Sequence, residues 1–173
     1  MIAGMKRILT TNQLGYVCDF ETLSDNEDYT YIWAWASSNI EFPEQVKIGN
    51  TMESFIEWCK DKPKLYFHNL SFDGAFIIDW LFRNGFRYAI KERRDTKTFN
   101  ILKSDDNKLY SIDITWTYTH SKKFTHTVIQ DSFKKLPFSV EKIADSWNLP
   151  ISKLEIDYKQ HREYGQELTE QEK

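Results

Sequence analysis

Alternating and continuous apolar runs fill much of the first third of the chain and predict β-strands. The first run covers residues 15–20, and a polar turn at 24–28 separates it from the second, Tyr29–Ser37. The second run is apolar on both faces, which is typical of an interior strand of a sheet. Two shorter runs, at 46–49 and 64–67, predict a third and a fourth strand.

Apolar residues at helical spacing predict two helices beside the short strands and a third later in the chain. Asn50 is expected to cap the first helix, because Glu53 follows it at the spacing of a capping box. The second helix is predicted over 72–84, with Gly85 placed to end it. Ser139 is expected to start the third.

Three further strands are predicted at 98–104, 108–118 and 124–130, the first two joined as a hairpin. Strands that alternate with helices in this order favour an α/β fold, in which helices flank a mixed sheet. The pattern is compatible with a ribonuclease-H-like fold.

Length and charge narrow the class of protein. The chain has 173 residues and is expected to form one domain, since a domain takes roughly 150 residues. Its net charge of −3 excludes a generally basic nucleic-acid-binding domain, although a local basic patch remains compatible with it. Aromatic residues are abundant, with 12 Phe, 9 Tyr and 6 Trp, more than a core alone requires.

The chain carries no signal for a membrane or for secretion. No apolar run approaches the roughly 20 residues of a membrane span, and residues 1–14 lack the apolar core of a signal peptide and are expected to be a loose leader. Cys18 and Cys59 have neither disulfide-framework nor zinc-site spacing and are expected to be reduced thiols, as in a cytoplasmic protein.

Two carboxylates share one face of the first predicted strand. Asp19 and Glu21 are two residues apart, so both project to the same side while Phe20 projects to the other. Like charges this close repel each other unless a cation lies between them, and Mg²⁺ or Mn²⁺ prefers such oxygen ligands. The alternative is an exposed strand end with two solvated acids.

A third carboxylate follows a polar loop between the fourth strand and the second helix. Asp73 lies at the start of that helix, where an anion is favoured; the alternative is an acid that only stabilises the helix. His68 and Asn69 precede it, and Phe72 and Phe76 flank it. These four suit the end of a single nucleic-acid strand, because aromatic rings stack on bases, but they could equally be ordinary loop and core residues.

These motifs together resemble a known family. D-F-E-T at 19–22 and H-N-x-x-F-D-G-A-F at 68–76 are similar to the first two exonuclease motifs of protein-primed family B DNA polymerases of small tailed bacteriophages. Stretches at 64–86, 126–138 and 156–158 also match, in the same order along the chain.

The resemblance implies that residues 15–173 form a 3′–5′ proofreading exonuclease domain of the DEDD type, from a polymerase of viral DNA replication. It implies that Asp19, Glu21 and Asp73 bind two divalent ions, Mg²⁺ or Mn²⁺, and that Lys153 assists near the scissile phosphate. The implied partners are single-stranded DNA, the rest of the polymerase and a terminal priming protein, in the cytoplasm of the bacterial host.

The resemblance also implies a set of single-stranded DNA contacts. They are Thr22, His68, Asn69, Phe72, Phe76, Ser132, Phe133 and Tyr158. The family commonly carries Leu where this chain has Phe133, a change that keeps an apolar side chain.

The sequence departs from the family at the fourth carboxylate, which the family supplies in a Tyr-x-x-x-Asp motif that this chain does not contain. Thr169 and Glu172 form a capping box that predicts the start of a helix near residue 169. A fragment stopped one helix short is therefore expected, with an incomplete two-ion site. Without palm carboxylates, no nucleotide incorporation is expected. The alternatives are an inactive module that binds single-stranded DNA, or half of a split polymerase completed by another polypeptide.

Overall fold

The computed structural model of the chain describes residues 15–25, 29–90, 93, 95–106, 108–118, 124–149, 162–170 and 172, except for the side chains of Asp25, Tyr118 and Phe124. The expected leader at 1–14 lies outside the described residues. So do two of the expected site residues, Lys153 and Tyr158.

Strands and helices alternate along the described residues, which confirms the predicted α/β class. Their bounds are β1 (Tyr16–Asp25), β2 (Tyr29–Asn39), β3 (Val46–Gly49), α1 (Met52–Cys59), β4 (Lys64–Phe67), α2 (Leu70–Arg83), β5 (Arg87–Tyr88), β6 (Thr98–Lys103), β7 (Leu109–Tyr118), β8 (Phe124–Asp131) and α3 (Val140–Ser146). The two-residue strand β5 is too short for periodicity to predict.

The described strands form one mixed sheet in the order β3-β2-β1-β4-β8-β7-β6-β5. Strand β4 lies at its centre and pairs in parallel with β1 on one side and with β8 on the other. The outer strands β2, β3, β6 and β7 join through antiparallel pairs. This mixed sheet with flanking helices is the ribonuclease-H-like arrangement that the sequence predicts. β2 is an interior strand, as expected.

The core lies on one face of the sheet, against α1 and α2. Phe55 of α1 is fully buried and packs edge-on against Phe20 of β1 and Phe67 of β4. Ile77 and Leu81 extend the same cluster from α2. Alternate residues of β1 and β4 are buried in this core. The residues between them lie on the opposite face of the sheet, because neighbouring residues of a strand project to opposite faces.

The structure corrects the predicted cap of α1. The cap is Thr51, whose hydroxyl accepts a hydrogen bond from Ser54 N–H at 3.2 Å. The expected cap, Asn50, instead donates through its amide to the carbonyl oxygens of Gly165 and Gln166, at 3.0 and 2.9 Å. Contacts between residues this far apart in the chain leave no local sequence signal.

The predicted capping box near the carboxyl terminus forms in part: the Glu172 side chain reaches back to Thr169, but no helix is assigned at the described residues 169, 170 and 172. Glu172 accepts hydrogen bonds from the backbone N–H and the hydroxyl of Thr169, at 2.9 and 3.0 Å. The same carboxylate pairs with Arg162 at 2.8 Å, and the Arg162 guanidinium lies 4.1 Å from the ring centre of Trp33 on β2. These contacts tie Arg162 and Glu172 to the sheet through Trp33.

Among the residues described, no helix combines the length and the apolar character needed to cross a lipid bilayer.

Candidate active site

The site forms where β4 stops and β1 continues. Pairing between the two strands is limited to Tyr16 with Leu65 and Val17 with Tyr66. Beyond Phe67 the chain turns into α2, whereas β1 runs on to Asp25. The β1 edge past Val17 therefore faces the amino-terminal turn of α2.

Asp73 occupies that edge. Its residue is 4% exposed, and its carboxylate accepts hydrogen bonds from the backbone of Asp73 itself and from that of Phe20. Burial, together with the charges of Asp19 and Glu21, raises the pKa of Asp73 to about 7, against the lowering effect of the hydrogen bonds. An acid that only stabilises a helix end usually lies in solvent, whereas Asp73 is buried; its role in a site stays a prediction.

Asp19 and Glu21 project from the face of β1 opposite the core. Phe20 between them is buried beside Phe55, which confirms the predicted alternation. Across the strand pair, Asp19 faces Ala36 and Glu21 faces Ala34, so small side chains flank both acids. Asp73 of α2 is close enough to this strand for the charges of both acids to act on it.

The donor set fits Mg²⁺ or Mn²⁺ in its chemistry, because it consists of carboxylate oxygens that repel one another and one of them is buried. In the part of the chain that is described, no three His, Cys, Asp or Glu side chains are gathered closely enough to hold one ion. The carboxylates are therefore electrostatic neighbours, and an assembled metal centre stays a prediction.

The loop before α2 presents Asn69 to solvent. Asn69 adopts a left-handed backbone conformation, with φ 69° and ψ 53°, and α2 begins at Leu70, two residues before the predicted start. Asn tolerates this conformation better than most residues. Its side chain makes no capping hydrogen bond to the helix.

His68 is held by the protein at both ring nitrogens. Nε2 donates to the carbonyl oxygen of Phe138 at 2.7 Å, and Nδ1 lies 3.1 Å from the Ser132 hydroxyl. Ser132 is fixed in turn to Phe67, whose carbonyl oxygen accepts from its N–H and its hydroxyl, at 2.8 and 3.0 Å. Both residues therefore organise the loop in this structure, and their contact with DNA stays a prediction.

Aromatic rings line the same end of the sheet. Phe72 is 50% exposed and lies edge-on to Phe76, with ring centres 5.6 Å apart. Phe133 lies edge-on to His68 at 5.3 Å. The structure thus places six of the eight expected DNA contacts in this loop region, and Thr22 follows the acids on β1 at a register shift.

Asp131 is a residue of this region that the sequence did not assign to the site. Its carboxylate oxygen Oδ1 accepts hydrogen bonds from three backbone N–H groups, those of Asn69, Leu70 and Phe133. Only the register of β4 against β8 reveals the contacts with Asn69 and Leu70, because these two partners are about sixty residues away in sequence.

A family model described as DNA polymerase type B, organellar and viral, matches residues 56–173. The DNA polymerases of Bacillus phage phi29 and Bacillus phage PZA are each 46% identical to the chain, over 158 and 155 residues. The matches cover 91% and 89% of the chain but only 27% and 26% of these relatives. The DNA polymerase of Streptococcus phage Cp-1 is 28% identical over 80% of the chain and 24% of its own length.

Solved structures agree with the sequence relatives. An orthorhombic crystal form of phi29 DNA polymerase matches with a TM-score of 0.81 at 44% identity, over 91% of this chain and 27% of that one. Phi29 DNA polymerase complexed with single-stranded DNA matches over the same shares, with a TM-score of 0.80 at 43% identity. The chain therefore spans about a quarter of the length of the polymerases it resembles.

Proposed function

The chain belongs to the family of DNA polymerases of type B, organellar and viral, and from this premise we propose that it is a metal-dependent 3′–5′ exonuclease module acting on single-stranded DNA. The observation that carries the proposal is the position of Asp73. It lies at the β1 edge, hydrogen-bonded to the Phe20 backbone, and burial, together with the charges of Asp19 and Glu21, raises its pKa to about 7.

Asp19, Glu21 and Asp73 would hold the divalent ions. Mg²⁺ or Mn²⁺, when bound, would supply Lewis-acid activation of water and would neutralise charge on the phosphate. In the proposed reaction, water attacks the terminal phosphodiester, the bond from phosphorus to the 3′ oxygen breaks, and a nucleoside 5′-monophosphate leaves. The Phe20 N–H holds the Asp73 carboxylate at the strand edge through this step.

The loop residues would hold the DNA end. The exposed Phe72 ring offers a stacking face to a base, a contact worth about 1–3 kcal/mol. Asn69 presents its amide beside the helix start, and Phe133 supplies a second ring above His68. A 3′ end held here points its last phosphate towards the carboxylates. Lys153 and Tyr158 complete the proposed set.

The wider role proposed for the chain is replication of viral DNA in the host cytoplasm. Phi29 DNA polymerase has been solved with single-stranded DNA and with primer-template DNA, and the same ligand class is proposed for this chain. Residues 15–173 form the proposed exonuclease domain. The rest of a polymerase and a terminal priming protein are the proposed protein partners.

The test follows a 3′-labelled single-stranded oligonucleotide with Mn²⁺ and with EDTA. We expect a release of the 3′ label that needs Mn²⁺ and disappears in Asp19→Ala/Glu21→Ala. Asp79→Ala, which removes an exposed α2 carboxylate paired with Arg83, is the matched control and should behave like wild type. Equal degradation by wild type and the double variant would overturn the assignment.

A second candidate function is binding of single-stranded DNA without cleavage. It is favoured by the finding that, within the described residues, no three metal-ligating side chains are gathered around one ion position. Salt-dependent binding of the same oligonucleotide with no loss of label in Mn²⁺ would select this second function. Half of a split polymerase would instead gain activity when the complementary polypeptide is added.

A further inference from the structure

Asp131 lies where two parallel strands end side by side. It is the last residue of β8, and its register partner is Phe67, the last residue of β4. The chain leaves β4 towards Asn69 and α2, and leaves β8 towards Ser132 and Phe133. Asp131 therefore lies between the two segments that carry most of the proposed DNA contacts.

One oxygen of this carboxylate joins the two segments. Oδ1 accepts from the N–H groups of Asn69 at 3.0 Å, Leu70 at 3.4 Å and Phe133 at 2.9 Å. Hydrogen bonds to an ionised carboxylate are roughly twice as strong as neutral ones. A carboxylate at the amino terminus of a helix is also favoured by the helix dipole.

Asp131 replaces the cap that α2 does not have locally. The residue at the cap position, Asn69, makes no side-chain hydrogen bond to the helix and has a left-handed backbone. A cap supplied from another strand fixes the start of α2 relative to β8, which a local cap cannot do. Since Asp73 lies in the first turn of α2, the position of its carboxylate depends on the same contact.

Asp131 is unsuited to direct contact with the reacting atoms. It follows Ile129 by two residues and shares its face of β8, and Ile129 is buried in the core with α2. Asp19 and Glu21 project from the opposite face of the same sheet. Any effect of Asp131 on the reaction is therefore transmitted through the backbone that it holds.

We propose that Asp131 is a positioning residue that sets Asn69, Phe133 and the Asp73 helix in one arrangement around the DNA end. The proposal rests on the proposed exonuclease function and names a group that the carboxylate motifs do not include. Its signature is a loss of DNA affinity and turnover that exceeds the effect of an equal loss of stability elsewhere.

The experiment compares Asp131→Ala, Asp131→Asn and a control, Thr51→Ala. Thr51 caps α1 through Ser54 N–H at 3.2 Å, so its variant also removes a helix cap but away from the DNA loops. Measurements are urea midpoint, oligonucleotide Kd by fluorescence anisotropy in EDTA, and kcat and KM for loss of a 3′ label with Mn²⁺.

We expect Asp131→Ala to lower kcat/KM by about 10–100-fold, the usual cost of removing a group that orients a ligand, and to raise Kd. Asp131→Asn keeps an oxygen acceptor and should recover part of the loss. Thr51→Ala should keep wild-type Kd and kcat/KM. Wild-type kinetics and Kd in Asp131→Ala would overturn the proposal and leave Asp131 a structural cap.

The proposed function itself is tested separately, by cleavage and binding measurements on the wild-type protein. If wild-type protein neither cleaves nor binds, hydrogen exchange of the free proteins still tests the positioning role. Asp131→Ala should then speed exchange both at residues 69–73 and at 132–133, and Thr51→Ala at neither. Faster exchange in only one of these two segments would contradict a shared anchor.

Discussion

The two ends of the β1–β4 strand pair differ in the interactions that determine their structure. Below Val17 and Tyr66 the strands are paired, and their alternate residues, such as Leu65, are buried against α1 and α2. Above that point a rim of polar groups replaces the pairing. It consists of Asp19, Glu21 and Thr22 with residues 68–73 and 131–133, and there one carboxylate is buried and one residue has a left-handed backbone. Apolar packing stabilises the first region. In the second region, polar groups are held in one arrangement at a cost in stability.

The sharpest contrast is expected at Phe55, in the packed region. Its ring is fully buried, and the rings of Phe20, Trp35 and Phe67 lie 4.7, 5.5 and 5.9 Å from it. Phe55→Ala should lower the free energy of unfolding by about 3–5 kcal/mol, because the cavity cannot be refilled. Urea denaturation measures this loss. A loss under about 1 kcal/mol would contradict the view that packing around Phe55 stabilises this region.

A close approach in the same region predicts the next effect. A Cβ added at Gly49 would lie 2.3 Å from the Trp35 indole nitrogen, which donates to the Ser54 hydroxyl at 2.8 Å. Gly49→Ala should therefore cost about 1–3 kcal/mol of stability through overpacking. An unchanged urea midpoint would show that β3 can move away from Trp35 freely.

At the rim we expect the opposite result: oligonucleotide binding is weakened while stability is kept. Phe72→Ala should weaken oligonucleotide binding by about 1–3 kcal/mol, the value of one stacked base, while unfolding changes little because the ring is half exposed. Phe82→Ala is the matched control, since Phe82 lies on the same helix, is 57% exposed and packs on Phe99. Equal affinity loss in both variants would assign the effect to the helix as a whole.

The smallest effect on stability is expected when charges are removed from the rim. Asp19→Asn/Glu21→Gln removes two charges that repel Asp73, so the protein in EDTA should be unchanged or more stable by less than about 1 kcal/mol, as for other exposed charges. The thermal stabilisation of wild type by Mn²⁺ should be absent from this variant. Persisting stabilisation would place the ion elsewhere.

Periodicity predicted the packed region well and the rim only in part. Residues 46–49, 64–67 and 98–104 were predicted as strands, because alternation or continuous apolarity leaves a direct trace in sequence, and the observed strands differ from these by at most one residue. The facing of Asp19 and Glu21 followed from the same rule. The family also came from sequence, because the motifs at 19–22 and 68–76 can be read directly from the residues.

What sequence reasoning missed depends on contacts between distant residues. Asn50 has the local signature of a cap, yet its amide binds carbonyl groups more than a hundred residues away. Asp131 has one local contact, with Phe133 N–H two residues on, and its contacts with Asn69 and Leu70 appear only when β4 and β8 are placed in register. The pairing of His68 with Ser132 and Phe138 is of the same kind.

The most direct test of the account asks where the DNA 3′ end lies. A single-stranded oligonucleotide carrying a photoreactive base at its 3′ terminus is crosslinked to wild-type protein in EDTA, and modified peptides are mapped by mass spectrometry. If the DNA 3′ end lies at the rim, we expect crosslinks within 68–76 and 131–133. They should be weakened by Phe72→Ala and absent when the photoreactive base is placed at the 5′ terminus. Crosslinks concentrated at the opposite edge of the sheet, around Arg87 and Tyr88 on β5, would contradict it.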